Sequence, residues 1–547
     1  MISPSSDRPR SPLLWLILPF AAGIAASHRL DGAFSLGTAA LFAAGALILG
    51  GAALAFFPRI WGALIGLALF AVGGVHHQVH RNPLPEWSSL PSREAVLTVR
   101  ITRDFGANVT DRYQNVLGLV VRATSPVEEL LGQTLYIRVQ RPLSSPDAIQ
   151  RGATVKLIGH LAGLDSTELE DDFERYLHSS GHNFLLRQAR WLQTVEPPSR
   201  YAQIRREIKQ DAAATLARGL QDSPRLTAAL TAMLLGEKYR LDDATRTTFL
   251  RSGTMHLFAI SGLHIGVIAI AINGLLRLFR VNRRIAFLIG SIVLLGYVDL
   301  IGLTPSAVRA WIMITCFHGA RVLRAPGNSV AAISTSALIV LLMDPMQLFS
   351  AGFQMSYSVV FVLLLHGLAL GRFAQPLMRP WRHLPAASLS PQQRFVQKRS
   401  EGLTMAVAFT WSASLIGMIT GVGIFGWFSP LAFLANLALI PLAFFAINAG
   451  FASMVLGLVG ASPIALIFNH AGALVLAIML ALLESPFQFA AGIPATFRIE
   501  SWDEFGIIAV LVAVVVSHES TQLPAKLKWS LPSLVTLLVL VFGLKFS

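Results

Sequence analysis

The stretch Gly253-Thr-Met-His-Leu-Phe-Ala-Ile-Ser-Gly-Leu-His-Ile-Gly266 sets His256, Ser261 and His264 at the mouth of a segment that then runs apolar to Phe279. Ser261 and His264 lie three apart, on one face if the segment is helical, and such a pair can be read as an activated nucleophile and its base. No third group that would orient the base stands nearby in the sequence. Cavity lining or a hydrogen bond between helices accounts for the pair with less chemistry. In a lipid-facing helix each of these side chains would cost free energy unless it met a partner or water. The small residues beside them, Gly262 among them, predict close backbone packing or a helix break that lines a cavity. His256 and His264 are about 12 Å apart along a helix, too far to share one metal ion.

Other polar groups sit in apolar surroundings. Arg309, in Gly302-Leu-Thr-Pro-Ser-Ala-Val-Arg-Ala310, would cost about 3 to more than 10 kcal/mol at a bilayer centre. It must face water or pair, with Asp299 and Asp344 as the candidate partners. Asp344 precedes Pro345 and also reads as a helix N-terminal cap, with Gln354 following in Gly352-Phe-Gln-Met-Ser356. Asn436, ahead of Pro441, predicts a kinked or interrupted helix whose freed carbonyls meet side chains or water. The lone cysteine, Cys316, permits neither an internal disulfide nor a cysteine metal site. No catalytic residue, metal or cofactor is expected. With no Gly-x-x-x-x-Gly-Lys-Ser/Thr loop, an ATP-driven motor would be a separate chain.

These residues need a membrane frame to hold them. Hydrophobic residues make up 54% of the 547 and charged ones 14%, and mean hydropathy is +0.59. This is the composition of an integral membrane protein. Residues 1–11 are polar, and the apolar runs Pro12–Ser27, Ala33–Phe56 and Ile60–Val75 follow. Three spans in close succession argue against a signal peptide. From residue 256 onward the apolar spans fall at about 257–279, 285–301, 306–323, 328–343, 347–371, 403–420, 430–447, 451–483 (one long or two short), 505–517 and 530–546.

The net charge of +14 is concentrated. Residues 81–225 are nearly balanced, with 19 Lys/Arg against 17 Asp/Glu. By contrast Arg277, Arg280, Arg283 and Arg284, and then Arg372, Arg379, Arg382, Arg394, Lys398 and Arg399, have no acid among them. Excess Lys/Arg marks cytoplasmic loops. With the N-terminus inside, three spans put residue 80 outside, and both basic loops together with Arg321 and Arg324 then fall inside. After about residue 403, Gly421, Pro430, Pro441, Pro463 and Pro486 break the pattern and charge no longer sets the parity.

Between the first spans and the rest, residues 81–200 alternate apolar and polar. Ala95–Thr102, Gln114–Thr124, Thr134–Gln140, Ala153–Leu161 and Asn183–Val195 read as short strands parted by turn residues. They predict a small β-barrel, of OB-like kind, interrupted by the acidic patch Asp165–Glu174. Residues 201–255 read as amphipathic helices lying at the membrane interface. One carries the stripe Leu226, Leu230, Met233 and Leu234 and ends at Gly236. A second starts at Asp242 or Asp243 and closes at Gly253.

In order along the chain, Phe173-Glu-Arg-Tyr-Leu-His-Ser-Ser-Gly181, Met233-Leu-Leu-Gly-Glu-Lys238, Phe249 through His264, Ser306-Ala-Val-Arg-Ala310, Asp344-Pro345 with Gly352–Ser356, and Asn436 through Pro441 resemble motifs of the ComEC-type competence protein family. The resemblance implies a polytopic α-helical membrane protein with an inserted extracytoplasmic small β-barrel (OB-like) domain. Its parts would be three transmembrane helices (1–80), the OB-like domain (81–200), interfacial helices (201–255) and a channel domain (256–547). It implies a channel for single-stranded DNA in the bacterial cytoplasmic membrane during natural transformation, with an alternative in a secondary transporter of a small or lipidic substrate. An intramembrane hydrolase using Ser261 and His264 is a third possibility.

On the channel reading His256, Ser261, Gly262, His264, Arg309, Asp344, Gln354 and Asn436 would line the path. In the barrel Arg100, Arg103, Phe105, Tyr113, Arg122, Tyr136 and Arg138 would touch DNA, by stacking and positive charge, or serve as core and solvated face. Partners would be single-stranded DNA and the bilayer, with a separate DNA receptor, nuclease and cytoplasmic motor or strand-binding protein. Many members of the family continue into a metallo-β-lactamase-like domain. Its His-x-His-x-Asp-His cluster is not found here, so nuclease activity is not expected of these residues.

Overall fold

A computed structural model describes residues 12–30, 61–80, 93–106, 112–124, 127–141, 149–164, 181–323, 329–484, 492–499, 502–519 and 523–546, with single positions between 37 and 48 and at 174 and 177. The helices in chain order are α1 (Pro12–Arg29), α2 (Trp61–His80), α3 (Arg200–Ala217), α4 (Pro224–Leu235), α5 (Asp243–Arg251), α6 (Gly262–Leu278), α7 (Arg283–Leu300), α8 (Pro305–Val322) and α9 (Ser329–Met343). There follow α10 (Ala351–Met378), α11 (Pro391–Phe425), α12 (Ala432–Leu458), α13 (Ser462–Glu484), α14 (Trp502–Glu519) and α15 (Ala525–Gly543). The chain forms two compact units, residues 1–214 with 276–353, and residues 215–275 with 354–547.

The first unit holds the barrel. Its strands are β1 (Arg93–Asp104), β2 (Tyr113–Ala123), β3 (Thr134–Gln140), β4 (Thr154–Gly163) and β5 (Phe184–Glu196). They close in the order β1-β2-β3-β5-β4, with β3 parallel to β5 and every other pair antiparallel. The alternation in the sequence does this directly. Leu97, Val99, Val116, Leu135, Ile137, Val155, Leu157 and Phe184 are fully buried inside, while outward positions alternate with them. On the outside, Tyr136 and Leu185 join Leu164 and Leu177 in a smaller apolar cluster.

In the same unit α1 and α2 meet backbone to backbone. A side chain at Gly23 would collide with the Phe70 carbonyl, and one at Gly73 with the Phe20 carbonyl. Small residues permit this approach, which is how helices gain packing in lipid. The expected span Ala33–Phe56 lies largely outside the described residues.

The second unit corrects one expectation. α4 is not interfacial: Ala229 through Leu235 are all buried, and the helix packs against α12 and α13. The sequence shows a one-sided stripe, but Gly450 leaves room for Leu234 and Leu230, and Gly472 for Leu230. A buried asparagine fastens the neighbouring helices. Asn469, with no exposed surface, accepts from Ser453 Oγ at 2.6 Å and donates to the carbonyls of Thr215 (2.6 Å) and Arg218 (3.1 Å). Asn469→Leu strands a hydroxyl and two carbonyls. It is expected to lower stability by about 3 kcal/mol, read as loss of folded protein on heating in detergent. Asn448→Leu should change little, because Asn448 only donates to Phe444 of its own helix.

Pro441 does not interrupt its helix, which runs unbroken from Ala432 to Leu458. One hydrogen bond is lost at the proline, and buried Ala435, Leu439, Ala443 and Ala446 hold the segment by packing. The expected 451–483 span is the end of this helix and a second one, parted at Gly460, whose φ is 83°. Five described helices are long and apolar enough to cross a membrane: α2, α10, α11, α12 and α13. The protein is a polytopic helical membrane protein bearing a small OB-like barrel.

Candidate functional site

The residues assigned to the path fall into two groups, one in each unit. In the first unit Arg309 is 4% exposed. Its Nη1 donates to Gln347 Oε1 at 3.3 Å, and Gln347 Nε2 donates to Asp344 Oδ2 at 2.9 Å. Asp344 Oδ1 also accepts from the Met346 N–H at 3.0 Å and so caps the short 3-10 turn Pro345–Phe349. Arginine and aspartate are thus joined through a neutral amide. Gly352 belongs to the same set, since a Cβ there would stand 2.8 Å from Arg309 Nη2. The guanidinium occupies the space that a side chain would take.

The other candidate acid is engaged elsewhere. Asp299 Oδ1 accepts from Arg151 Nη1 and Arg205 Nη1, each at 3.4 Å, and Oδ2 accepts from the Tyr201 hydroxyl at 2.7 Å. The hydrogen bond to Asp299 and the carboxylate's charge raise the Tyr201 hydroxyl above the ordinary phenol range. Asp299 therefore ties the barrel loop at Arg151 and the start of α3 to the end of α7. It does not neutralise Arg309.

In the second unit α5 begins at an Asp242 cap that accepts from the Thr245 N–H and ends at Gly253, whose φ is 70°. Only glycine fits there: the conformation is left-handed, and a Cβ would approach Ala432 Cβ to 2.8 Å. The Arg251 carbonyl at this end accepts from Ser429 Oγ and from the Gly492 N–H, both at 2.7 Å. A 3-10 turn at Met255–Leu257 follows, and α6 starts at Gly262. The helix break expected around the motif is present.

His264 is fully buried. Its Nδ1 accepts from the Ser261 N–H at 3.3 Å and lies 3.1 Å from Ser261 Oγ. An acceptor Nδ1 leaves the ring proton on Nε2, which is enclosed and makes no hydrogen bond. The pair closes the first turn of its own helix, and among the described residues no carboxylate hydrogen-bonds the imidazole. Gly262 is exposed, and a Cβ on Gly266 would meet nothing within 4 Å, so Gly266 does not serve close packing. His256 and Gln354 are half-buried. Asn436 has an enclosed Oδ1 that accepts no hydrogen bond. Among the described residues no cluster of three or more His, Cys, Asp or Glu could hold a metal ion.

On the barrel the structure gathers some candidates and separates others. Arg103 lies over the Phe105 ring at 4.8 Å, and Arg138 over Tyr113 at 5.0 Å, with Arg112 over the same ring at 5.9 Å. Phe105 is 40% exposed. Tyr136 is covered instead by Leu164, Leu177 and Leu185, and burial pushes its hydroxyl up to about 12. It offers no open stacking face. Arg122 pairs with Thr98 at the opposite end of its strand, and Arg100 faces Glu196 at 3.8 Å. Most of the Phe173–Gly181 motif lies outside the described residues. Gly181 itself has φ 82° and abuts Met346.

Sequence reasoning passed over Gln347, the link between Arg309 and Asp344. It also passed over His366, which sits in a π turn at Leu363–Gly367 within α10. His366 Nδ1 lies 2.9 Å from Ser412 Oγ, and Nε2 lies 3.3 Å from the Trp529 carbonyl. An ionisable residue amid leucines is a signal in its own right, the same one that singled out His264.

Residues 233–520 match the sequence model of the family described as "Competence protein", more than half of the chain and all eight positions assigned to the path. The chain belongs to the competence protein family. This competence protein is 32% identical over 142 residues to "ComE operon protein 3" of Bacillus subtilis (strain 168), a segment covering 26% of the chain and 18% of that relative. It is 27% identical over 239 residues to "Uncharacterized protein YcaI" of Escherichia coli (strain K12), covering 42% and 29%. The chain thus spans less than a third of the length of either relative. No solved structure matches it.

Proposed function

We propose that this competence protein conducts one strand of incoming DNA across the bacterial cytoplasmic membrane, with residues 81–255 on the outer side and the two arginine-rich loops inside. The observation that carries this is the family match over residues 233–520, the segment that holds all eight residues assigned to the path. Single-stranded DNA brings one negative charge per nucleotide and needs an aqueous, polar-lined route with fixed positive charge. In the first unit Arg309 supplies such a charge, set by Gln347 and Gly352. In the second, Asn436 and the α6 start offer polar groups within apolar surroundings. The Arg103–Phe105 and Arg138–Tyr113 pairs on the barrel suit weak, salt-sensitive contact with a single strand.

On this reading the role is transport, with no catalytic part assigned to Ser261 and His264. Ser261 and His264 are spent on a helix start, and Ser261→Ala should keep most of the activity.

The test is uptake of labelled DNA into a nuclease-protected fraction, in cells with and without the gene, at equal surface binding. Loss of protected DNA with surface binding intact supports conduction. Unchanged uptake would shift the reading to a small-substrate transporter of the same architecture.

A further inference from the structure

A cleft of about 530 Å³ opens between the start of α7 and the end of α8, lined by Arg284, Phe287, Leu288, Val322 and Leu323. It has a cationic end and an apolar body. Leu288 is 58% exposed and Leu323 81% exposed, so two of its walls lie open. Arg277, Arg280 and Arg283, all exposed, precede Arg284 within seven residues of sequence.

Among the described residues no carboxylate pairs with them. Asp299 is the one acid between residues 244 and 343. It lies about 22 Å from Arg284 along α7 and is already held by Arg151 and Arg205. Among the described residues none of these four arginines forms a salt bridge.

We propose that this cleft binds an anionic phospholipid, with the headgroup phosphate on Arg284 and an acyl chain along Phe287, Leu288, Val322 and Leu323. Charge fixes the headgroup: a guanidinium fork matches phosphate oxygens in two parallel hydrogen bonds, and three further arginines favour net negative charge. The apolar remainder fixes the body. Four of the five lining residues are hydrocarbon, which a nucleic acid or a free phosphate would leave unfilled and a lipid tail would cover. Basic pockets between membrane helices hold anionic headgroups in this way. The site is independent of what the protein transports.

The full-length protein in neutral detergent is titrated with dioleoyl phosphatidylglycerol or with dioleoyl phosphatidylcholine. Retained lipid is counted by native mass spectrometry, and thermal stability is followed in parallel. Phosphatidylglycerol should be retained and should raise the unfolding temperature more than phosphatidylcholine does. Arg284→Gln should weaken retention about fivefold, the factor that corresponds to about 1 kcal/mol for a basic residue near an anionic surface. Leu323→Trp, which fills the cleft and keeps every charge, should also reduce retention. Arg372→Gln, in the other basic loop, should leave it unchanged.

Equal retention of the two lipids would overturn the proposal. So would equal losses from Arg284→Gln and Arg372→Gln, which would mean diffuse charge attraction. Inorganic phosphate or a single-stranded oligonucleotide that gives the same stabilisation at the same concentration would assign the arginines to another occupant.

Discussion

Replacing Arg309 with methionine is expected to abolish DNA uptake while leaving the protein in the membrane at its normal level. The substitution keeps most of the stem volume and removes a charge that is only 4% exposed. Gln347 Oε1 loses the donor that now stands 3.3 Å away, at a cost of about 1–3 kcal/mol. Relief of the desolvation of a buried guanidinium offsets part of that. Stability therefore changes little. If the charge meets the phosphates in passage, its removal should slow transport on the order of 100-fold, equivalent to about 2.7 kcal/mol in the barrier.

Gly352→Ala provides a second arm. It keeps the charge but places a methyl 2.8 Å from the present position of Nη2, so uptake should fall with the protein level intact. Protected DNA measured against membrane protein by immunoblot decides the matter. Loss of the protein itself in Arg309→Met would make the arginine a structural element and defeat its assignment to the path.

Asp299→Ala is expected to loosen the barrel. Its carboxylate takes two guanidinium donors and a phenol, and Arg151, Arg205 and Asp299 side chains are only 16–22% exposed. Without it two arginines face each other across a poorly solvated gap. Breaking a fully buried pair costs about 3–5 kcal/mol, and the remaining solvent access reduces that to roughly 2 kcal/mol. Local opening around the start of α3 should become about thirtyfold more frequent, read as faster tryptic cleavage near Arg200 and Arg205. Adding Arg205→Gln should restore much of the protection. An unchanged cleavage rate, or a double variant cut faster still, would show that the carboxylate does not hold this junction.

Much of this architecture is legible in the sequence where the information is local. The five barrel strands fall within a few residues of their expected ends, because period-two alternation needs no knowledge of the partner strand. Asp242 and Gly253 bound α5 for the same reason: a cap and a left-handed terminus are written within a few residues. Long-range choices are not written so. Asp299 lies ten residues from Arg309 in the sequence, yet its partners come from 148 and 94 residues away. The burial of α4 depends on Gly450 and Gly472, more than two hundred residues later. Nothing local distinguishes Gln347, and only the fold sets it against Arg309. Polar residues at depth could be flagged from sequence, but their partners required the fold.

α11 runs for 35 residues, about 52 Å, against a hydrocarbon thickness of about 30 Å. Set along the membrane normal, roughly 20 Å of unbroken helix would stand clear of the apolar layer. Its foot is fixed by the Ser390–Gln393 capping box and by Ser400, which donates to the Met378 carbonyl at 2.9 Å. A continuous hydrogen-bonded helix resists compression and bending far better than a loop of the same length. Force applied at Arg394 or Arg399 would be carried along this strut to Trp411 and Ser412 without a joint to absorb it. A partner that grips the charged end would thereby hold a lever on the middle of the second unit.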